Sequence, residues 1–192
     1  MDKLRKGDLL LIDAGAECDH YAADITRTIP VSGKFSAVQK LLYQLVLDAQ
    51  AAAIEQVKPG APWNSAHDAS VETLTRGLRD LGLLHGRLSK LIKEEKFKQF
   101  YMHRIGHWLG MDVHDVGDYQ VDNQWRLLEP GMVLTIEPGL YIAADCGSVD
   151  AKWRGMGIRI EDDVLVTQDG CEILSKAAPK EIADIENLMR AG

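Results

Sequence analysis

The sequence predicts an α+β protein, with one layer of helices on a curved antiparallel sheet. Three observations predict it. Two β-like segments near the start give way to a long stretch with helical periodicity. From Phe100 onward the chain becomes Gly-rich and β-like again. A short amphipathic segment closes it. The 192 residues, 46% apolar and 27% charged, suffice for one substantial core and argue against disorder.

In chain order, the charged stretch Met1–Gly7 runs straight into an apolar strand, Asp8-Leu-Leu-Leu-Ile-Asp13. A strand so close to the start is expected to have further chain, or a partner, before it. Tyr21–Ile29 alternates, is rich in β-branched residues and ends at Pro30, so it reads as a second strand. The pair forms a hairpin with its turn near Cys18–Asp19. Ser36 then caps a helix carrying Val38, Leu41, Leu42, Leu45, Val46, Ala49 and Ala53 inward, stopped by Pro59-Gly60. A second helix runs from about Asn64 to Leu81, with Val71, Leu74, Leu78 and Leu81 on one face and Gly82 as its cap. Residues 86–98 are basic and read as a short exposed helix or loop. Strands are expected at 132–137, 140–143, 157–162, 164–167 and 171–174, with Thr167-Gln-Asp-Gly170 as a turn. Pro179 opens a terminal helix with Ile182, Ile185 and Leu188/Met189 inward.

The net charge of −7 argues against a broad nucleic-acid or anionic-membrane surface. No apolar run reaches the roughly 20 residues of a membrane span, and no signal peptide opens the chain. Cys18, Cys146 and Cys171 are widely spaced and odd in number, which fits neither a disulfide framework nor a CxxC zinc site. A reducing, cytoplasmic location follows as the expectation.

Some acids sit where acids do not belong. Asp13 and Asp24 lie on otherwise apolar strands, and a turn centred between Cys18 and Asp19 would put them directly opposite each other. Like charges so placed repel by about 4 kcal/mol at 4 Å. A divalent cation between them reverses the argument. Glu137 ends the apolar strand Val133-Leu-Thr-Ile, and Glu161 ends Gly157-Ile-Arg-Ile; these two acids could also face each other across a ladder. Singly, each acid is best read as solvated or paired with Arg27, Arg159 or Lys152. Four together point to a metal site built from two related hairpins.

His20, His67 and His85 read as surface or capping residues. His103, His107 and His114 fall within twelve residues among glycines, which points to metal or catalytic work, although no Glu follows His103 and the HExxH pattern is absent. A donor set rich in carboxylates favours hard coordination: Mn²⁺ or Mg²⁺ first, with Co²⁺, Zn²⁺ or Fe²⁺ as alternatives. Carboxylates also bridge, which suits two ions sharing an acidified water, and four carboxylates balance two divalent charges.

These residues carry a resemblance. Ile12-Asp13-Ala-Gly, Ala23-Asp24-Ile-Thr-Arg-Thr, Gly106-His107-Trp-Leu-Gly, Asp112-Val-His114-Asp, Ile136-Glu137-Pro-Gly-Leu-Tyr and Gly157-Ile-Arg-Ile-Glu161-Asp-Asp resemble the pita-bread metallopeptidases, and among them the aminopeptidase P (Xaa-Pro aminopeptidase) group. The resemblance spans Arg5 to Met189. It implies that Asp13 binds one metal, Asp24 and Glu161 bridge both, and His107 and Glu137 complete the second. It implies a metal-bridging hydroxide that attacks a peptide with proline in second position, with Glu137 handling the proton. His103 and His114 would bind substrate and stabilise the oxyanion. Arg159, with Tyr141, would orient a ligand carboxylate. Members of the group carry a preceding domain and an earlier catalytic stretch with another active-site histidine. Residues 1–192 are therefore expected to be the C-terminal part of the catalytic domain, incomplete at its N-terminus, within a homo-oligomer. Two other readings stand beside this one. The first is a sibling hydrolase, such as a prolidase-type Xaa-Pro dipeptidase or a methionine aminopeptidase, although Trp108 and the Pro179–Met189 tail look more like aminopeptidase P. The second is a non-catalytic module or incomplete fragment of the same fold, whose usual sign is loss of the metal ligands; all five are present.

Overall fold

A computed structural model describes residues 3–190. Strands β1 (Leu9–Ala14) and β4 (Ile25–Pro30) pair antiparallel, and β2 (Glu17–Cys18) and β3 (Tyr21–Ala22) continue the same hairpin in the same register. The turn is Asp19-His20, one residue later than the sequence pattern placed it. Both residues have positive φ, 49° and 73°, as a tight turn between twisted strands requires. The later turn shifts every pairing by two residues, so Asp13 faces Thr26 and not Asp24. Asp24 lies in the unpaired stretch between β3 and β4. Here the strands close up around Gly15, where a Cβ would stand 1.7 Å from the Ala23 carbonyl oxygen. Asp13 and Asp24 still share a face, as diagonal neighbours.

Helix α1 (Ala37–Ile54) begins as expected. Ser36 Oγ accepts the Gln39 N–H at 3.2 Å, and Gln39 Oε1 accepts the Ser36 N–H at 2.8 Å. It buries Leu42, Val46, Ala49 and Ala53, whereas Leu41 faces solvent. Helix α2 (Asn64–Asp80) packs against α1 through Val71, Leu74 and Leu78 and closes with the Leu83 N–H on the Leu78 carbonyl. His67 is not a surface residue. It lies on the inner face of α2 with its ring 5.7 Å from that of Tyr101. In the basic segment, α3 (Leu88–Lys93) and a 3₁₀ turn (Lys96–Gln99) are anchored by buried Leu91 and Phe97.

A small hairpin that the sequence pattern did not reveal follows: β5 (Gln120–Val121) and β6 (Gln124–Trp125), turning at Asp122-Asn123, both with positive φ. Then come β7 (Val133–Ile136), β8 (Gly139–Ile142), β9 (Met156–Arg159), β10 (Asp162–Val166) and β11 (Cys171–Ile173). β7 pairs with β10, and β8 with β9, in one shared register. The four strands are thus one long hairpin, interrupted between β7 and β8, where the pattern also separates 132–137 from 140–143, and between β9 and β10, where the expected strand 157–162 would run through. Helix α4 (Ile182–Leu188) starts three residues after Pro179; Ile185 is buried and Met189 packs on the core, while Leu188 is exposed.

The fold is α+β, its antiparallel sheet divided into short ladders with α1 lying across β7, β8 and β9. Two apolar clusters hold it. One joins α1 and α2 to Leu140, Ile158 and Ile185; the other joins Trp63, Ile105 and Trp108 to Leu134, Ile136 and Val164. The interruption of the long hairpin lies at the seam between them. Among the described residues no helix is long and apolar enough to cross a membrane.

Candidate active site

The seam is built by diverting backbone groups out of the ladder. The Glu137 N–H goes to the Ile105 carbonyl at 2.7 Å, and the Glu161 N–H to the Thr26 carbonyl at 3.0 Å. The carbonyls of Ile136, at the end of the β7–β10 ladder, and of Ile160, just past β9, both accept from Gln50 Nε2 at 3.2 Å. Every diverted group is paired, so the gap carries no desolvation penalty of the kind an orphaned backbone group would bring. Gln50 comes from the buried side of α1, and nothing in its sequence context marks it.

The segment carrying the histidines lies alongside β7. The Thr135 N–H bonds the His107 carbonyl, and the Leu109 N–H bonds the Val133 carbonyl. Gly106 permits this approach: a Cβ there would stand 1.8 Å from the Thr135 carbonyl oxygen. The first hairpin docks on the second through threonines. Thr28 Oγ1 both donates to the Arg159 carbonyl and accepts its N–H, while Thr26 Oγ1 donates to Glu161.

The result is an open cleft of about 520 Å³. Its lining includes all the residues singled out in the sequence: Asp13, Asp24, Glu137 and Glu161, with His103, His107, His114 and Arg159. Donor atoms of Asp13, Asp24 and Glu161 lie within 4.8 Å of one another, as do those of His107, Glu137 and Glu161, and those of Asp24, His107 and His114. Glu161 belongs to both of the carboxylate-rich sets. His114, expected on the substrate side only, stands within ligand reach as well, its ring 4.2 Å from that of His107.

Tautomers follow from the acceptors. His107 Nδ1 lies 2.9 Å from the Trp108 carbonyl, which can only accept, so Nδ1 carries the proton. Nε2 then turns its lone pair toward Asp24, at 3.3 Å, and Glu137, at 3.7 Å. Two carboxylates and an imidazole lone pair facing one another are all electron-rich, an arrangement suited to a cation. His103 is fixed in the same way. Its Nδ1–H meets the Arg104 carbonyl at 2.8 Å, and its Nε2 accepts from the Tyr141 hydroxyl at 2.9 Å. Burial holds its pKa below the usual value.

The carboxylates are electrostatically uncompensated. Burial, with the charge of its acidic neighbours added, pushes Glu161 up to about 8 and Glu137 up to about 7, the latter in spite of Arg159. Burial and Asp13 raise Asp24. Arg159 donates to Asp13 at 2.5 Å and, through Nε, to Thr26 Oγ1 at 3.1 Å; it is one cation among four acids. Arg27 pairs with none of the four. It joins Asp162, which is fully buried and also bound by Lys180 and Ser175. Burial works against the Asp162 charge, but these partners outweigh it and hold its pKa down. The neighbouring Asp163 accepts the Asp24 N–H on both oxygens, at 3.2 and 3.3 Å, and so fixes the backbone of Asp24. Asp162, Asp163, Lys180 and Gln50 escaped sequence reasoning; the Glu161-Asp-Asp run was the available signal for two of them.

The sequence pattern of metallopeptidase family M24 matches residues 1–168. The chain belongs to that family. It is 55% identical to the Xaa-Pro aminopeptidase of Haemophilus influenzae over 97% of its own length, and 47% identical to that of Escherichia coli over 98%. Among solved structures, Pseudomonas aeruginosa aminopeptidase PepP superposes with a TM-score of 0.98 at 58% identity, covering 99% of this chain. A zinc-substituted E. coli aminopeptidase P in complex with product superposes at 0.94 and 47% identity. The pita-bread fold is thereby shown for this M24 chain. The chain spans 43% and 42% of the two relatives, and 43% of each of the two solved chains.

Proposed function

We propose that this M24 chain provides the metal-binding catalytic centre of an aminopeptidase that releases the first residue from peptides with proline in second position. The observation that carries the reading is the convergence of Asp13, Asp24, His107, Glu137 and Glu161, from two hairpins and a third segment, into one cleft. The high identity to Xaa-Pro aminopeptidases supports the choice of substrate.

The donor set fits a pair of divalent ions, Mn²⁺ first. It is rich in carboxylate oxygen, its negative charge is uncompensated, and Glu161 reaches both ends. Such ions supply an acidified water and a polarised carbonyl. The chain's own residues do the rest. Glu137, a carboxylate at the edge of the donor set, holds and returns the proton lost by the attacking water. Neutral His103, kept in one tautomer by Arg104 and Tyr141, and His114, beside His107, bind the peptide backbone and the oxyanion. Arg159 holds Asp13 in place and Asp163 holds Asp24. The acids attract the free amino group of the substrate.

Cleavage of Ala-Pro-Gly and of Ala-Pro by the Mn²⁺-loaded protein tests the reading, with Glu161→Ala as control. Release of alanine from the tripeptide alone is the expected result. Cleavage of the dipeptide alone assigns a prolidase-type activity instead. Absence of Mn²⁺ uptake by calorimetry overturns the metal site.

A further inference from the structure

The cleft has two flanks of different chemistry. Beyond Asp13 and Asp24 a recess of about 440 Å³ continues along the first hairpin, where Glu17 and Asp112 add further acids. Beyond Arg104, Gly106 and Tyr119, which line the cleft itself, a groove of about 650 Å³ opens on the other side. Its walls are Trp63, Tyr119 and Trp125, with Arg104 and Asp118 as its charged residues. These aromatics are held in place by each other. Trp63 and Tyr119 lie 4.8 Å apart, Tyr119 stacks parallel to buried Trp108, and the Arg104 guanidinium sits 4.9 Å over the Trp125 ring while also donating to Asn64. The chain has four tryptophans, and two of them line this one groove.

We propose that this groove is a specificity subsite for the residue that follows proline, and that it selects an aromatic or large apolar side chain there. The inference rests on the Xaa-Pro aminopeptidase reading. Polarity along the cleft sets the direction. A substrate's α-ammonium belongs at the acidic flank, beside Asp13 and Asp24, so the peptide runs away from it across Glu137 and leaves past Gly106 into the aromatic flank. Rigid aromatic walls bind a ring by stacking and by area burial, at little conformational cost to the protein. The β5–β6 hairpin, with its tight turn, is what brings Trp125 to the groove that Trp63 also lines.

Two measurements on the Mn²⁺-loaded protein test this. In the first, the dipeptides Pro-Phe and Pro-Gly, the leaving products of such substrates, are titrated and tryptophan emission is followed, which requires no turnover. Pro-Phe is expected to bind about tenfold more tightly than Pro-Gly, as aromatic contacts of this kind contribute. Trp125→Ala, and Trp125→Leu, which keeps an apolar side chain on the core beneath, are expected to bring the two affinities within about twofold of each other. In the second, kcat/KM is compared for Ala-Pro-Phe, Ala-Pro-Gly and Phe-Pro-Gly, and ratios are taken within each enzyme. The Phe/Gly ratio at the third position is expected to fall toward one in both variants, while the Phe/Ala ratio at the first position stays put. Equal affinities for Pro-Phe and Pro-Gly in the parent protein, or a change confined to the first position, overturns the subsite. Cleavage of Ala-Pro-Gly reports on the underlying activity separately, so failure of the subsite and failure of the activity are told apart.

Discussion

The two hairpins that supply the acids are built alike and break differently. Each keeps one antiparallel register from end to end, and each is interrupted part-way. In the first, only Asp24 sits in the interruption. Asp13 stays in the regular ladder opposite Thr26, nearly half-exposed. In the second, Glu137 and Glu161 both lie in the gap, between two buried ladders, and helix α1 reaches in with Gln50, which donates to the Ile136 and Ile160 carbonyls at its edges. An acid can therefore be brought to a common cleft in two ways. A shallow hairpin presents it from its surface. A deep one must open its own backbone, and then needs dedicated partners to satisfy what it has opened.

The contrast predicts that the second hairpin is the more costly to disturb. Asp162→Ala leaves Arg27 and Lys180 without their buried partner just below the gap, and is expected to cost about 3–5 kcal/mol in a urea unfolding series. A loss below 1 kcal/mol would show the network to be incidental. Gln50→Leu removes the buried side-chain donor shared by the Ile136 and Ile160 carbonyls and is expected to cost about 2 kcal/mol. Should it prove neutral, the gap is satisfied by water and the difference between the hairpins shrinks.

Acid titration separates the hairpins from the rest of the fold. Burial lowers the pKa of His67 to about 4. The unfolded chain takes up that proton near pH 6.5 and the folded chain resists, so stability falls as pH drops from 6.5 to 4, by about 2 kcal/mol at pH 5. Glu137 and Glu161, raised to about 7 and about 8, act oppositely. Without metal, they weaken the fold as pH rises from the ordinary carboxylate range through those values. His67→Phe is expected to remove the acid-side loss and leave the alkaline-side loss. Persistence of the acid-side loss would assign it instead to a carboxylate held low by its partners, such as Asp162. The smallest expected difference concerns the metal. Glu161→Gln should weaken Mn²⁺ binding about tenfold more than Asp13→Asn, because Glu161 joins both donor sets from a fixed, buried position. Equal losses would erase the distinction between the surface acid and the gap acids.

What was legible in the sequence follows the same division. Helices α1 and α2 were visible because apolar period, Ser36 and Gly82 agree. The acids were visible because carboxylates stand out in apolar strands. The register of Glu137 against Glu161 was readable from their spacing alone, while that of Asp13 against Asp24 was not. It hinges on which two residues adopt left-handed φ, and Asp19-His20 is a less obvious pair than a turn with glycine. The gap in the second hairpin was invisible because the groups that fill it, Gln50, Ile105 and Thr26, are far away in sequence and chemically ordinary. The β5–β6 hairpin was too short to leave a period. The burial of His67 was missed because a lone histidine on an amphipathic helix looks the same whether it faces Tyr101 or water.

The seam between the two apolar clusters has a mechanical consequence. Asp13 and Asp24 lie near one end of the chain, Glu137 and Glu161 near the other, and most of the polypeptide runs between them. A cation gripped by both sets would tie those distant segments together in the folded state only, and would add its own binding free energy to the stability of the fold. A chelator would then unload the fold from its seam, lowering stability while leaving the side chains of both apolar clusters as they were.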